Sequence, residues 1–565
     1  MLDVISGLLV IISLFGIGYL YHQMQKKSRE IQKEENEILY SLEYLTKEIK
    51  DCFTSMMTQK LSRLNVCEEE MEKRKKNRSL LRRALQNCAY ADEGAKAFVK
   101  DYIKQFLQRK YEVSEENIQW ILPFEDYEKL TLRDKFDILL YTYRVKKQKG
   151  AGAMESLLRD YHLDCLRKGE DEKRRYEVTA EDIEEIYKQE VRGLTYGDKL
   201  EIVAQRIFSM DKGNGVIDDL IYQNLDGVSA GVSQTPCKNY EAITIMYQGK
   251  SISLSALSFE SEKELKRICK KIYKYDVPGE MSESSGFMVN RLKSGARISS
   301  MRPPFSDAWC FWIRMFDSVD KRSILSLYPQ EGKEKLHNLL KLLIRGEQTC
   351  VISGQQGSGK TTCLEAMVDF IRPTYNIRTI ELTFELQLRE RYPTKNIAAM
   401  RETESVTTEQ AMEFVKKTDA DVVIFGEIAK ETEGEKVIKL SQSGSRFSIS
   451  THHSTNTRNL INWFRNALLK TSGFQNEEIA ETQVVENIRF DIHLDKSEDG
   501  TRFVERITEI VPLEKGGYEE RILLTYKEGI YVISNRISKQ TTKAMVKCLT
   551  KEEIEMYEKY LEVED

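Results

Sequence analysis

The spacing of apolar and polar residues divides the chain into four regions. Residues 4–21 hold no charged side chain. Residues 23–110 combine spaced apolar residues with many Lys, Glu and Arg and lack proline, which predicts long helices. Between about 196 and 300, alternating stretches such as 242–247 predict a compact α+β domain. After residue 349, apolar strands alternate with helices, which is typical of a parallel sheet.

The first helical region permits two interpretations. Its apolar residues recur at intervals of four and three, at Ile38, Leu42, Leu45, Ile49, Cys52 and Met56. This spacing fits a coiled-coil seam of under three heptads, or an amphipathic helix that packs inside its own domain. A second helical stretch follows at about 130–168, then a charged linker at 169–177, and Thr179 with Asp182 predicts a capping box.

The uncharged segment at residues 4–21 predicts a membrane anchor. Eighteen residues are at the short end for a spanning helix. Lys26, Lys27 and Arg29 follow it, and this positive flank predicts an N-terminus outside and the rest of the chain at the cytoplasmic face of the membrane. A cleaved signal peptide would have its positive charge in front and a small-residue cleavage site behind. A buried or dimerising helix is the third interpretation.

The charge balance and the cysteine spacing of the chain disfavour several classes of function. Lys plus Arg number 86 and Asp plus Glu 90, a net charge of −4, so no basic footprint indicates nucleic acid as a partner. The ten cysteines form no C-x-x-C pair, which disfavours a zinc site or a disulfide framework.

A glycine-rich loop between an apolar strand and a predicted helix is the strongest local signal. Residues 354–361 fill the pattern G-x-x-x-x-G-K-[ST], a phosphate loop. The predicted nucleotide-binding residues here are Gly354, Gly357, Ser358, Gly359, Lys360, Thr361 and Thr362. Lys360 is expected to reach the β- and γ-phosphates of ATP, and Thr361 to hold Mg²⁺. The helix expected at 362–371 adds its N-terminal dipole.

Further candidate catalytic groups lie at the ends of the following strands. Glu427 ends the apolar strand 421–427 and is the expected water-positioning carboxylate. Glu381 and Glu385 are expected to help hold the metal or the attacking water. His453 follows the strand 447–451 and is a candidate phosphate sensor or a messenger between subunits, although a lone histidine is often structural.

Taken together, these motifs resemble the type II/type IV secretion ATPases, most closely the branch that serves tight-adherence (Flp-type) pili. Residues 379–388 resemble the family's acidic box, 423–427 its Walker B motif and 448–453 its histidine box. Upstream, residues 292–304 resemble its L-x-x-G-x-R…P-P stretch. The resemblance covers about residues 180–530, including Ile313-Arg314-Met315-Phe316 and Asp499-Gly500-Thr501-Arg502.

The resemblance implies an α/β fold: a RecA-like P-loop NTPase core preceded by a smaller α+β domain. It implies a homohexameric ring in which Arg297 and Arg314 reach the nucleotide. It also implies partners, namely a polytopic inner-membrane platform protein and pilin-like subunits that ATP hydrolysis moves. No nucleic-acid partner is expected.

The expected organisation has five parts. They are a transmembrane anchor at 1–22, a charged helical region at 23–175, the α+β domain at 176–318, the RecA-like domain at 319–530 and a C-terminal tail at 531–565.

Three residues depart from the family pattern and leave a second function open. Leu382 replaces the Asp of the acidic box, Ala429 an arginine after Gly-Glu, and Ser445 the first histidine of the histidine box. These replacements favour a nucleotide-binding scaffold with little turnover, whereas Glu427 favours a motor. A nucleic-acid translocase with a similar core is a third alternative, which the balanced charge disfavours.

Overall fold

The computed structural model describes residues 36–58, 68–168, 174–232, 238–275, 279–315, 323–382, 384–403, 405–442, 444–471, 474–497 and 499–561. The predicted anchor at residues 4–21 lies outside these ranges. Within them, no helix combines the length and apolarity needed to cross a bilayer. The chain divides into two compact units, residues 1–247 with 251–315, and residues 248–250 with 316–565.

The first unit joins a helical layer to a mixed sheet. Its helices are α1 (Leu42–Thr58), α2 (Glu68–Cys88), α3 (Glu93–Lys110), α4 (Leu132–Tyr141), α5 (Ala153–Asp160), α6 (Ala180–Glu190), α7 (Tyr196–Asp211) and α8 (Glu262–Lys271). Its strands are β1 (Arg167–Lys168), β2 (Arg174–Glu177), β3 (Gly227–Ala230), β4 (Ile243–Tyr247), β5 (Lys250–Ser253), β6 (Phe287–Arg291), β7 (Arg297–Met301) and β8 (Cys310–Arg314). They are ordered β1-β2-β5-β4-β3-β8-β7-β6 in one sheet.

Helix α1 packs inside its own unit. Leu45, Ile49 and Phe53 are buried in one cluster with Val99 and Ile103 of α3. Because these side chains already have partners within the chain, they cannot also form the seam of a coiled coil. The structure therefore favours the amphipathic-helix interpretation.

The helical region and the α+β region share a hydrophobic core, although the sequence suggested two separate parts. Leu157 and Leu158 of α5 are buried in the same cluster as Val228 and Ile313 of the sheet. The predicted linker at 169–177 also differs, because residues 174–177 form β2, which pairs in parallel with β5. The prediction failed because the residues are charged and show no strand-like alternation, whereas the strand is held by backbone pairing with β5. The predicted capping box of Thr179 and Asp182 is present at the start of α6.

The second unit is built on one nine-stranded sheet. Its strands are β9 (Cys350–Gly354), β10 (Ile377–Glu381), β11 (Ile397–Arg401), β12 (Val422–Ile428), β13 (Phe447–His452), β14 (Phe490–Lys496), β15 (Arg502–Pro512), β16 (Tyr518–Lys527) and β17 (Ile530–Ile533). Their order is β11-β10-β12-β13-β9-β14-β15-β16-β17. The pairs from β11 to β14 are parallel, and the rest are antiparallel. The inner parallel strands are largely buried on both faces, which explains their nearly continuous apolar sequences, whereas the edge strand β11 is only half-buried.

Ten helices flank this sheet in the described part of the unit. They are α9 (Ile324–Leu327), α10 (Lys333–Arg345), α11 (Lys360–Met367), α12 (Leu388–Arg391), α13 (Thr408–Val415), α14 (Glu431–Gln442), α15 (Thr457–Thr471), α16 (Glu477–Asn487), α17 (Lys539–Met545) and α18 (Lys551–Tyr557). The helix predicted at 362–371 corresponds to α11, which begins two residues earlier and ends at Met367.

The segment predicted as a C-terminal tail belongs to the core of the second unit. Tyr531, Ile537, Met545, Tyr557 and Tyr560 are all buried in the cluster that contains the P-loop strand β9. The apolar run at 530–533 forms β17, but nothing in the sequence shows that this strand pairs with β16 at the edge of the same sheet.

Candidate functional site

The phosphate loop has the strand–loop–helix geometry that the sequence predicts. Strand β9 ends at Gly354, and α11 begins at Lys360. Gly354 has φ +141°, and a Cβ there would lie 2.2 Å from the carbonyl oxygen of Leu494 in β14. Only glycine fits this position. Gly357 and Gly359 also have positive φ, and the hydroxyl of Ser358 donates to the carbonyl of Gln355 at 2.9 Å.

Lys360 lies against the loop with its amine buried. Nζ donates to the carbonyl oxygens of Gly354 and Gln355, each at 2.9 Å. Among the described residues, no carboxylate lies within ion-pair distance of this amine, and burial lowers the pKa of Lys360 to about 8. A buried cation whose hydrogen-bond partners carry no negative charge favours an anionic ligand. Thr361 and Thr362 lie beside it in the first turn of α11, where backbone N–H groups are free of intrahelical partners.

Lys360, His453 and Glu427 form one chain of side-chain contacts. Lys360 Nζ lies 3.1 Å from His453 Nδ1, and His453 Nε2 lies 3.1 Å from Glu427 Oε1. Because a lysine ammonium group can only donate, Nδ1 accepts from Lys360, which leaves the proton of the neutral ring on Nε2, the nitrogen in contact with Glu427. The neighbouring His452 faces elsewhere: its Nδ1 lies 2.8 Å from the carbonyl oxygen of Ile428, and its ring packs on Trp463. The structure thus separates the two histidines by role.

Glu381 lies beside this chain but has protein partners on both carboxyl oxygens. It accepts from the hydroxyl of Thr379 at 3.1 Å and from the N–H of Leu386 at 2.9 Å. Burial raises the pKa of Glu381 to about 7. A Cβ on Gly426 would lie 3.1 Å from Glu381 Cγ, so this glycine allows the close approach. The geometry gives Glu381 a supporting position behind Glu427. Glu385 is half-buried in the following loop, and its backbone bonds to Glu381.

The predicted arginines lie in the first unit. Arg297 opens β7 and Arg314 closes β8, and the two are directly opposite one another in the antiparallel register. Their predicted contact with nucleotide stays a prediction.

Two groups of residues at the loop were given no role in the site from the sequence. Arg502 Nε donates to the carbonyl of Gly357 at 3.0 Å. Beneath the loop, Ser353 contacts both Asp491 and His493 of β14. Asp491 and His493 are polar residues at alternate positions of an apolar strand, and this signal could have identified a buried polar network.

Comparison with known proteins finds similarity in the segment that carries the site. A family model described as "Type II/IV secretion system protein" matches residues 287–484. The competence protein ComGA of Halalkalibacterium halodurans is 28% identical over 184 residues, which is 31% of this chain and 48% of the relative. ComGA of Bacillus subtilis is 27% identical over 182 residues, 31% of this chain and 49% of the relative. The chain spans about half the length of these curated relatives.

Among solved structures, the VirB11 ATPase of the Brucella suis type IV secretion system is 18% identical. That match covers 51% of this chain and 89% of VirB11, with a TM-score of 0.29. The Legionella pneumophila ATPase DotB is 15% identical, covering 60% of this chain and 90% of DotB, with a TM-score of 0.35.

The matched segment 287–484 contains the phosphate loop and the strands that carry Glu381, Glu427 and His453. Within this segment, the chain is similar to the type II/IV secretion system proteins.

Proposed function

We propose that the chain is an ATPase that drives a type II/IV secretion or pilus-assembly machine. The observation that carries the enzymatic part is the buried Lys360 amine, which has two loop carbonyls and His453 around it and no carboxylate ion pair among the described residues. A polyphosphate would supply the missing negative charge. The glycine-bearing loop before α11 adds backbone N–H donors for the same ligand.

The residues present fit a nucleotide with Mg²⁺. Lys360 would bind the β- and γ-phosphates, and Thr361 would ligate Mg²⁺, which neutralises phosphate charge when bound. Glu427 would orient the attacking water and accept its proton. His453 contacts both Lys360 and Glu427, so it is placed to report the state of the phosphate side of the site to the carboxylate.

The motor role rests on the family to which the matched segment is similar. We assign the chain to the tight-adherence pilus branch, with a RecA-like core that assembles as a homohexamer. Residues 4–21 would tether the ring to the cytoplasmic face of the membrane, and residues 23–175 would contact other components of the assembly. A polytopic platform protein and pilin-like subunits are the proposed partners.

A second candidate is a nucleotide-binding scaffold with little turnover. Leu382 lies at a position where the family pattern has a carboxylate, and its side chain is 38% exposed beside Glu381. Ala429 brings no guanidinium to the segment after Glu427, where its N–H is capped by Glu433. Both replacements remove charge from the neighbourhood of the phosphate site.

Steady-state hydrolysis and nucleotide binding together distinguish these functions. Hydrolysis of ATP by the assembled protein lacking residues 1–22 is expected to fall by about a hundredfold or more in Glu427→Gln, because general-base catalysis contributes about that much. Binding of a fluorescent ATP analogue is expected to persist. Glu390→Gln, on the exposed face of α12, is the matched control and should hydrolyse like wild type. Binding without hydrolysis in the assembled wild type would support the scaffold, and hydrolysis unchanged by Glu427→Gln would contradict the assigned chemistry.

A further inference from the structure

We propose that Asp491 is a positioning residue that holds the phosphate-loop strand and the segment carrying His453 at a fixed separation. The inference rests on the proposed ATPase function, since it assigns a role within that site. Asp491 lies in β14, which pairs in parallel with β9, and its side chain is completely buried. It is neither a nucleotide ligand nor a member of the Lys360–His453–Glu427 chain.

The two carboxylate oxygens of Asp491 bind two different elements of the site. Oδ1 accepts the hydroxyl proton of Ser353, which immediately precedes Gly354 of the phosphate loop. Oδ2 accepts the hydroxyl proton of Thr457 at 2.7 Å. Thr457 is the first residue of α15 and follows His453 by four residues. One buried side chain therefore connects the residue before the phosphate loop to the first residue of the helix that follows His453.

The direction of the hydrogen bonds is fixed by the groups involved. Ser353 has a single hydroxyl proton, which Asp491 accepts. His493 Nδ1 lies 2.7 Å from the same hydroxyl oxygen, so this nitrogen donates to it. The resulting chain runs from His493 through Ser353 to Asp491, and Thr457 donates to the same carboxylate from the other side. Both hydroxyl protons are committed to Asp491.

The hydrogen bonds of Asp491 affect the site through Lys360, which contacts both of the elements that Asp491 connects. Lys360 Nζ bridges the carbonyl of Gly354 and the ring of His453, so it contacts both elements that Asp491 connects. If either hydroxyl bond is lost, the loop and His453 can shift relative to one another. The misalignment affects the transition state more than the binding of the phosphates, which the loop backbone supplies. We therefore expect a change in kcat with little change in nucleotide affinity.

The test uses a pair of variants that differ in one hydroxyl. Thr457→Val keeps the side-chain shape and removes the bond to Asp491, whereas Thr457→Ser keeps the hydroxyl. In the assembled protein, Thr457→Val is expected to lower kcat for ATP by on the order of tenfold to a hundredfold, since displacements near 1 Å at catalytic groups have such effects. The dissociation constant of a fluorescent ADP analogue is expected to change by less than about threefold, because uniform binding is retained. Thr457→Ser is expected to restore kcat.

A second variant tests whether the effect of Thr457→Val arises from the lost hydrogen bond or from a local change in folding. Asp491→Asn retains one acceptor oxygen, and we expect it to lower kcat in the same direction as Thr457→Val with a comparable dissociation constant. Wild-type kcat in a folded Thr457→Val protein would overturn the inference, and so would an equal loss in Thr457→Ser.

If the assembled wild type hydrolyses no ATP, the proposed function fails, and the positioning role is judged by amide hydrogen exchange. Thr457→Val should then raise exchange in both 354–361 and 453–456 relative to Thr457→Ser. Equal exchange in the two variants would overturn the inference.

Discussion

Glu381 makes the stability of the P-loop unit depend on pH. Its carboxyl is 4% exposed and bonds to Thr379 and Leu386. Burial raises its pKa from the ordinary 4.5 to about 7. Between these two values the folded protein holds a proton that the unfolded chain has lost. Stability is therefore fully present below the unfolded pKa and falls as pH rises through the folded pKa.

The size of the effect follows from the shift. One pKa unit corresponds to about 1.4 kcal/mol, so raising pH from below 4.5 to above 7 removes about 3 kcal/mol of local stability. The substitution Glu381→Gln imitates the protonated carboxyl, because the amide oxygen can accept from Leu386 and the amide N–H can donate to the Thr379 hydroxyl. We expect Glu381→Gln to lose most of this pH dependence.

Amide hydrogen exchange of β10 and β12 measures the local free energy of opening without requiring the two units to unfold together. After correction for intrinsic exchange, wild type is expected to lose up to about 3 kcal/mol between about pH 5 and pH 8, and Glu381→Gln less than about 1 kcal/mol. Glu334→Gln, at an exposed position of α10, should retain the wild-type pH dependence. An equal fall in Glu381→Gln and wild type would refute the assignment of this proton to Glu381.

Two further predictions test the loop and the helical region. Gly354→Ala should abolish binding of a fluorescent ATP analogue, because the added Cβ would lie 2.2 Å from a backbone carbonyl, whereas Gly197→Ala in α7 should bind normally. Retained binding in Gly354→Ala would contradict the loop geometry. Ile49→Ala should destabilise the first unit by about 2–5 kcal/mol in thermal or urea unfolding, as large-to-small core changes do. Ile38→Ala, at a position 63% exposed, should change stability by less than about 0.5 kcal/mol, and equal effects would argue against a buried α1.

The parts of this fold that sequence reasoning predicted are those encoded by neighbouring residues. The phosphate loop is one continuous pattern, and the capping box of Thr179 and Asp182 is formed by two residues three positions apart. The strand that carries Glu427, β12, begins with a continuous run of apolar residues. In each case the pattern that predicts the element is formed by residues close together in sequence, so the rest of the chain is not needed to recognise it.

The parts that were missed depend on partners far away in sequence. Asp491 meets Ser353 across 138 residues. The charged residues 174–177 form a strand only because β5 lies beside them. Tyr531 is buried in the same cluster as the phosphate-loop strand, and its apolar neighbours Ile530, Val532 and Ile533 do not show which strand they pair with. Local periodicity carries no information about such pairings, so the predicted linker and tail needed the tertiary structure to be corrected.

The order of the strands in the sheet decides which of the proposed catalytic residues are neighbours. From the sequence, Lys360, Glu427 and His453 each follow or end a strand, and nothing indicates which of them are neighbours. In the sheet, β13 lies between β12 and β9. His453, which follows β13, therefore lies between Glu427 and Lys360 and contacts both. Any role of His453 in linking phosphate to carboxylate is a consequence of this central position. The same strand order gives Asp491 its proposed effect. Asp491 bonds to Ser353 of β9 and to Thr457 of α15, and through these two elements it would position Lys360 and His453 without contacting them.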